Sequence, residues 1–452
     1  MGYEINLLAE FIHEFSLTQL DEKTLSMVRY CILDTIGSAL GAAESTEIRS
    51  ILKTWQQWNA PGSNGCSATV WGQNCKESLL TSVLINGMMC HDLELDDVHT
   101  ASKSHIGAVV VPAAWSVAES INASGRDLVE AVVVGYEVMG RVGMGMDVAS
   151  NRKRGWHTTG IIGTFGAAAA AARLLHLTIP QTVSALGMAG TQSSGLWAFL
   201  AEGSTCKKLH PARAAVNGVC AALLAQSGMT GPAHILDAAD GGLYAAISDS
   251  FDMSRVIDGL GKDFVVSKMD KKPYPCCRTT HHAIDAALQL RENGLFRPEE
   301  IEKVLVETYD VGVLQCGFSK YPESPVEAKF SIAFTCAAAF VYGRVTQAEF
   351  CQAVLDNPLV THIAKNTQVV SDTLFTERYP KRWGSRMTVT TKDGKIQVCQ
   401  IDDMSGSVNV PLSPKQEQNK FCGLVEPLLG SETLGLMNSL LNIDRVDHLP
   451  VL

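Results

Sequence analysis

Residues 265–288 read VVSKMDKKPYPCCRTTHHAIDAAL, and the chain changes character across them. Pro273 and Pro275 end any helix that runs into this stretch, because proline has no N–H to donate and its ring clashes with the preceding turn. A new helix is expected from about Thr279. On the N-terminal side, from Ile106 to about Met229, the pattern is helical almost throughout, with short connections. On the C-terminal side the period shifts. EKVLVETYDV (302–311) alternates like a strand, VEAKFSIAFTCAAAF (326–340) is helical, and SRMTVTTKDGKIQVCQI (385–401) reads as two strands joined through Asp393–Gly394. From Pro414 to Ile443 helical spacing returns through Phe421, Leu424, Leu428 and Leu436.

Helical ends around a mixed middle imply a mainly α fold: a large all-helical domain from both chain ends, with a smaller α+β domain inserted. The expected boundaries are 1–265, 266–404 and 405–452. Near the start, Ile5, Leu8, Phe11 and Ile12 form one stripe, and Leu25, Val28, Ile32, Ile36 and Leu40 another, with Thr18 and Asp21 as start signals. PGSNG (61–65) reads as a turn and ATVWG (68–72) as at most a short strand. Gly160, Gly163 and Gly166 spell G-x-x-G-x-x-G before Ala167–Ala172, a spacing wrong for a dinucleotide fingerprint or a P-loop. Small side chains that let helices approach closely are the better account.

At 452 residues, with 46% hydrophobic and 19% charged residues, the chain has the composition of a soluble globular protein of about two domains. No apolar run reaches the ~18–20 residues of a membrane span. MGYEINLLAEF shows no basic segment followed by an apolar core, so no signal peptide is expected. Thirteen cysteines, an odd number without C-x-x-C, suit reduced thiols, and a cytoplasmic location is the expectation. A net charge of −10 argues against nucleic-acid and anionic-membrane partners, and means that an anionic substrate needs a local cationic pocket.

Polar islands at element boundaries carry the candidate chemistry. HDLELDDVHTASKSH (91–105) packs Glu94, Asp96, Asp97 and three histidines between apolar helices, where titratable groups are costly unless paired or employed. In RKRGWHTTG (152–160), His157 precedes the small-residue helix, and Thr158 or Thr159 can cap it. In CKKLHPARAAVNG (206–218), Lys207, Lys208 and His210 gather where Pro211 starts a helix, an arrangement that invites an anion. KKPYPCCRTTHHAID (271–285) adds Lys271, Lys272, Tyr274, Arg278, His281 and His282. Glu327 and Lys329 suit a surface ion pair, and Cys276 and Cys277 suit small buried thiols. No metalloenzyme spacing links His91, His99 and His105, and no G-x-S-x-G elbow occurs, so neither a metal site nor a serine hydrolase is expected. Carboxylates and histidines in one loop, with Lys/Arg clusters in two others, are equipment for holding a polycarboxylate and moving a proton next to a carboxylate.

NGMMCHDLELDDVH…SHIG, GWHTTGIIGTFGAAAA, KKLHPARAA and KPYPCCRTTHHAIDA, in this order, resemble the MmgE/PrpD family over essentially the whole chain. That family includes 2-methylcitrate dehydratase, cis-aconitate decarboxylase and iminodisuccinate epimerase. The resemblance implies a helical domain with a smaller α+β lid, a homodimer, and activity without metal or organic cofactor. It places the catalytic acidic residue on Glu94, followed by Asp96 and Asp97, and histidines on His105 and His157. The lysine of its K-x-L-H motif falls on Lys207, and its lid lysine on Lys272. The decarboxylases that the chain resembles carry Asp where Glu94 stands and Thr where Val98 stands. The expected function is a cofactor-independent lyase of a small di- or tricarboxylate, with dehydration of a citrate-like 2-hydroxy acid placed first. Decarboxylation and epimerisation are the alternatives, and a non-catalytic carboxylate-binding dimer is the alternative of another class. In the expected roles His105 or Glu94 is the base or acid, Asp97 orients, and His157 assists protonation. Lys207, Lys272, Lys208, Arg278 and Tyr274 bind substrate, while His91 and His99 are structural.

Overall fold

A computed structural model describes residues 3–58, 67–318 and 321–452; the turn expected at 61–65 lies outside them. The fold is mainly α. Its contacts divide the chain into two compact units. The first comprises Met1–Trp197, Cys206–Met269 and Ser413–Leu452, and the second Ala198–Thr205 with Asp270–Leu412. The change at 269/270 falls inside the proline-bearing stretch, four residues before Pro273.

In the first unit the helix Thr158–Leu174 is buried along almost its whole length and packs against Leu209–Gln226, Gly125–Gly145 and Gly107–Ser120. Its glycines explain why so apolar a helix is tolerated at the centre. A Cβ on Gly163 would stand 2.9 Å from the Ala214 Cβ, and one on Gly218 would stand 2.5 Å from both the Ala167 Cβ and the Thr164 carbonyl oxygen. The backbones meet where side chains are absent, which is close packing and not a nucleotide loop. Helix Glu22–Ala42 starts at Asp21, whose carboxylate accepts the Thr24 N–H at 2.7 Å. Thr18 instead lies in a short 3-10 turn capped by Ser16. Ser67–Val70 and Cys75–Ser78 pair as an antiparallel hairpin, so the stretch expected to hold at most one short strand supplies the first of two. The C-terminal helices Pro414–Leu429 and Thr433–Leu441 pack on Glu22–Ala42, bringing both chain ends into one core.

The second unit is built on a four-stranded sheet with spatial order Thr367–Ser371, Ile301–Thr308, Ser385–Thr391, Ile396–Ile401. The last two strands form the hairpin read from Asp393–Gly394, with Gly394 at φ +82° as its turn requires. Ile301–Thr308 pairs in parallel with Thr367–Ser371, a strand that the sequence reading did not identify. Val304, Val306, Met387 and Val389 are fully buried, and helix His281–Glu292 packs on the sheet and on Ile332–Tyr342.

Candidate active site

Helix Leu79–Asp92 brings His91 and Asp92 to its last turn, and the chain then leaves the helix through Glu94 at φ +57°. A non-glycine residue in the left-handed region costs roughly 1–3 kcal/mol and persists only when its surroundings hold it there. What holds Glu94 is an ion pair between its carboxylate and the Lys207 ammonium, both groups buried. The loop continues through a turn in which His99 and Ser104 exchange backbone hydrogen bonds, at 2.9 and 3.3 Å. It re-enters a helix at Gly107.

Asp97 anchors that re-entry. Its Oδ1 accepts the Gly107 N–H at 2.9 Å, and its Oδ2 accepts the Tyr136 hydroxyl at 2.8 Å. Gly107 is obligatory here, since an added Cβ would lie 2.3 Å from Thr35 Oγ1 and 2.8 Å from Asp97 Oδ1. The Asp97 carboxylate, expected to orient, faces Gly107 and Tyr136, and its neighbour Asp96 faces the histidines. Asp96, with no exposed surface, lies at the centre of the loop: its Oδ2 stands 2.8 Å from His91 Nδ1 and 3.1 Å from His105 Nδ1. His105 Nδ1 also reaches the Asp97 carbonyl oxygen at 3.1 Å. An ionised carboxylate only accepts, so both rings carry their Nδ1 proton and neutral rings offer Nε2 as a base. The His91 and His105 ring centroids are 4.6 Å apart.

The same unit adds His157 and the start of Leu209–Gln226. The His157 ring stacks 6.3 Å from His91 and meets His210 Nδ1 to Nδ1 at 2.9 Å. Thr158 and Thr159 do not cap the helix; the Thr158 hydroxyl donates to Asn151, and the Thr159 hydroxyl accepts the His105 N–H at 3.1 Å. Burial, then the charges of His210 and Lys207, hold the His157 pKa well below the ordinary histidine value. Lys208 is directed to Glu47 and Asp92 of its own unit. Burial lowers the His99 pKa to about 3, and its Nδ1 meets Ser102 Oγ at 2.8 Å.

In the second unit Lys272 is fully buried, and Arg278 Nη2 donates to Asp270 at 2.8 Å. Among the described residues Arg278 Nε and Nη1 have no hydrogen-bond partner, which leaves one edge of a buried guanidinium open to a carboxylate. The Tyr274 hydroxyl donates to Asp285 at 2.6 Å, and burial raises its pKa. His281 and His282 are held neutral by burial and by the nearby Arg278 charge.

Glu94, Asp97, His105, His157 and Lys207 thus come together in one unit, and Lys272, Tyr274 and Arg278 belong to the other. Sequence reasoning missed Asp96 as the histidine anchor, His91 as its second partner and His210 as the ring paired with His157. A buried carboxylate flanked by two histidines gives no spacing signal, because the contacts run 5 and 9 residues across a loop. Within this cluster His91, Asp96 and His105 also offer ligand atoms within 4.8 Å of one another, the one group among the described residues with the geometry to hold a metal ion.

Residues 6–256 match the family model for the MmgE/PrpD N-terminal domain and 274–439 that for the MmgE/PrpD C-terminal domain. A cis-aconitate decarboxylase-like protein of Aspergillus oryzae is 27% identical over 97% of this chain and 94% of its own length. Human cis-aconitate decarboxylase is 27% identical over 98% of this chain and 92% of its own. A 2-methylcitrate dehydratase of Salmonella typhimurium is 22% identical over 86% and 83%. With both domain models matched across most of its length, the chain belongs to the MmgE/PrpD family.

Proposed function

We propose that this protein is a lyase of a small di- or tricarboxylate, with decarboxylation of cis-aconitate as its first reading. The observation that carries it is the buried group in which Asp96 holds His91 and His105 beside the Glu94–Lys207 ion pair. The relatives named as cis-aconitate decarboxylases support this choice over dehydration, since they match nearly the whole chain at higher identity than the dehydratases do.

In the proposed reaction a carboxylate leaves as CO2, its electron pair passes into the neighbouring unsaturated carboxylate, and carbon takes up one proton. Lys207 neutralises the charge that accumulates there, and a histidine supplies the proton: His105 in the first instance, in its doubly protonated form with Nδ1–H on Asp96 and the transferable proton on Nε2, with His157 assisting. Lys272, Arg278 and Tyr274 are proposed as carboxylate contacts of the second unit. Lys208, already directed to Glu47 and Asp92, shapes the start of its helix in this reading. Dehydration of a citrate-like acid is the second reading. It needs a base for the C–H and an acid for the departing hydroxyl, and Glu94 and His105 supply both kinds of group. A cytoplasmic homodimer working without a cofactor completes the proposal.

Incubation with cis-aconitate, citrate and 2-methylcitrate, followed by proton NMR in deuterated water, tests it. Decarboxylation leaves one deuterium on the former vinylic carbon next to the carboxylate that took up the electron pair, whereas dehydration interconverts hydroxy and unsaturated acids without loss of carbon. His105→Ala should lower kcat far more than it raises KM, and Lys272→Ala should damage both. Full activity in His105→Ala would refute the assigned role.

A further inference from the structure

His157 and His210 make a contact that neither substrate binding nor helix packing demands: Nδ1 to Nδ1 at 2.9 Å. At that distance two ring nitrogens share one proton, because two N–H groups would collide and two lone pairs would repel. The surroundings are shaped to permit it. A Cβ on Gly160 would stand 2.3 Å from the Ser194 carbonyl oxygen and 3.2 Å from the His210 Cβ. One on Gly195, at φ +123°, would stand 3.2 Å from the His210 ring. The Gly195 carbonyl accepts the His157 N–H at 3.0 Å, tying the backbone of one histidine to the wall of the other. Trp197 closes the His157 ring edge-on at 5.3 Å. His157 is 3% exposed, whereas His210 is half-buried.

We propose that His210 is a positioning residue that sets the proton on His157, and through it the acid or base form of the catalytic group. When His210 donates its Nδ1 proton, His157 carries its own at Nε2 and acts as an acid. When His210 accepts, His157 Nε2 is a lone pair and acts as a base. The two states exchange with protons balanced. One proton leaves His157 Nε2 for substrate, the shared proton crosses from His210 Nδ1 to His157 Nδ1, and His210 Nε2 takes one from solvent. The groups facing the pair are His91, His105 and Lys207, and each disfavours adding a second positive charge there. Burial and these neighbours lower the His210 pKa to about 4, so both rings are neutral near pH 7.

This inference rests on the proposed role of His157, so its test has one arm that needs no substrate. In protein labelled with 15N-histidine, one proton should correlate with Nδ1 of both rings. In His210→Phe, which keeps an aromatic ring without nitrogen, the His157 nitrogens should move to the shifts of an unpaired ring. Separate protons on the two Nδ1 atoms in the native protein would overturn the proposal, even if His210→Phe fails to fold. The second arm follows cis-aconitate consumption against pH. His210→Phe should lose on the order of 10–100-fold in kcat with KM within about threefold, and its pH–rate limb should shift. His210→Gln, which can still hydrogen-bond Nδ1, should recover part of the loss. A kcat within twofold and an unchanged pH profile in His210→Phe would overturn it. If the native protein leaves cis-aconitate untouched, the functional reading fails and the NMR arm alone decides the shared proton.

Discussion

Asp96→Asn isolates the anchor of the candidate site without changing its volume. Asp96 Oδ2 accepts from two imidazoles, at 2.8 Å from His91 and 3.1 Å from His105. An asparagine has one acceptor oxygen and one NH2 in their place. Because the one oxygen Oδ2 serves both rings, an asparagine oxygen in its place can still accept from both, but each bond loses the negative charge that strengthens it. A hydrogen bond to a charged group contributes about 1.5–3 kcal/mol, and each 1.4 kcal/mol is a factor of ten. If the weakened bonds no longer orient the proton donor in the transition state, kcat should fall by up to roughly 10–150-fold. KM should stay within about threefold, because Asp96 is fully buried and is not a proposed substrate contact. Initial rates by proton NMR with cis-aconitate give both constants, and urea titration of the same samples gives the stability cost. A variant with kcat within twofold of the native protein, folded and with histidine tautomers unchanged, would refute the anchoring role.

Asp97→Asn should act differently: it weakens the acceptors for Gly107 N–H and Tyr136 hydroxyl, so about 1.5–3 kcal/mol of stability should be lost, read by urea denaturation. Gly218→Ala places a methyl 2.5 Å from Ala167 Cβ and should cost about 1–3 kcal/mol in the same assay; an unchanged midpoint would contradict the close helix contact. Acid should destabilise the fold through its buried neutral histidines. The His99 pKa is lowered to about 3 from an unfolded value near 6.5, so its contribution is fully present above about 6.5 and is lost as pH falls toward 3. His99→Asn should therefore flatten the stability–pH curve by about 1.4 kcal/mol per unit in that window, and an unaltered slope would contradict a neutral His99. Exhaustive chelation should leave activity intact; loss restored by a divalent ion would place that ion on His91, Asp96 and His105.

Much of the fold was legible because periodicity records which face of an element is buried. The stripe through Ile32 and Ile36, the Asp393–Gly394 hairpin and the glycine helix all answer to local rules. Strand Thr367–Ser371 was not legible: its exposure pattern is mixed, and its partner Ile301–Thr308 ends 59 residues before it begins, across other elements. The site was legible in composition more than in geometry. Clusters such as KKLHPAR and HDLELDDVH announce costly buried charge, and Glu94 with Lys207 is one such pair. Which carboxylate serves which histidine is another matter. Asp96 and Asp97 are adjacent and chemically identical, and only the backbone course after Glu94 turns one to the histidines and the other to Gly107 and Tyr136. His210 lies 53 residues from His157, so its contact exists only once two helices have packed.

Proton NMR of cis-aconitate in deuterated water, run with the native protein and with His105→Ala, bears most directly on the proposed lyase. The account predicts steady consumption by the native protein, with CO2 released and one deuterium incorporated at carbon, and a rate lowered at least tenfold in the variant. Binding of cis-aconitate, citrate and 2-methylcitrate without turnover or C–H exchange in any of them would contradict it and leave a carboxylate-binding protein in its place.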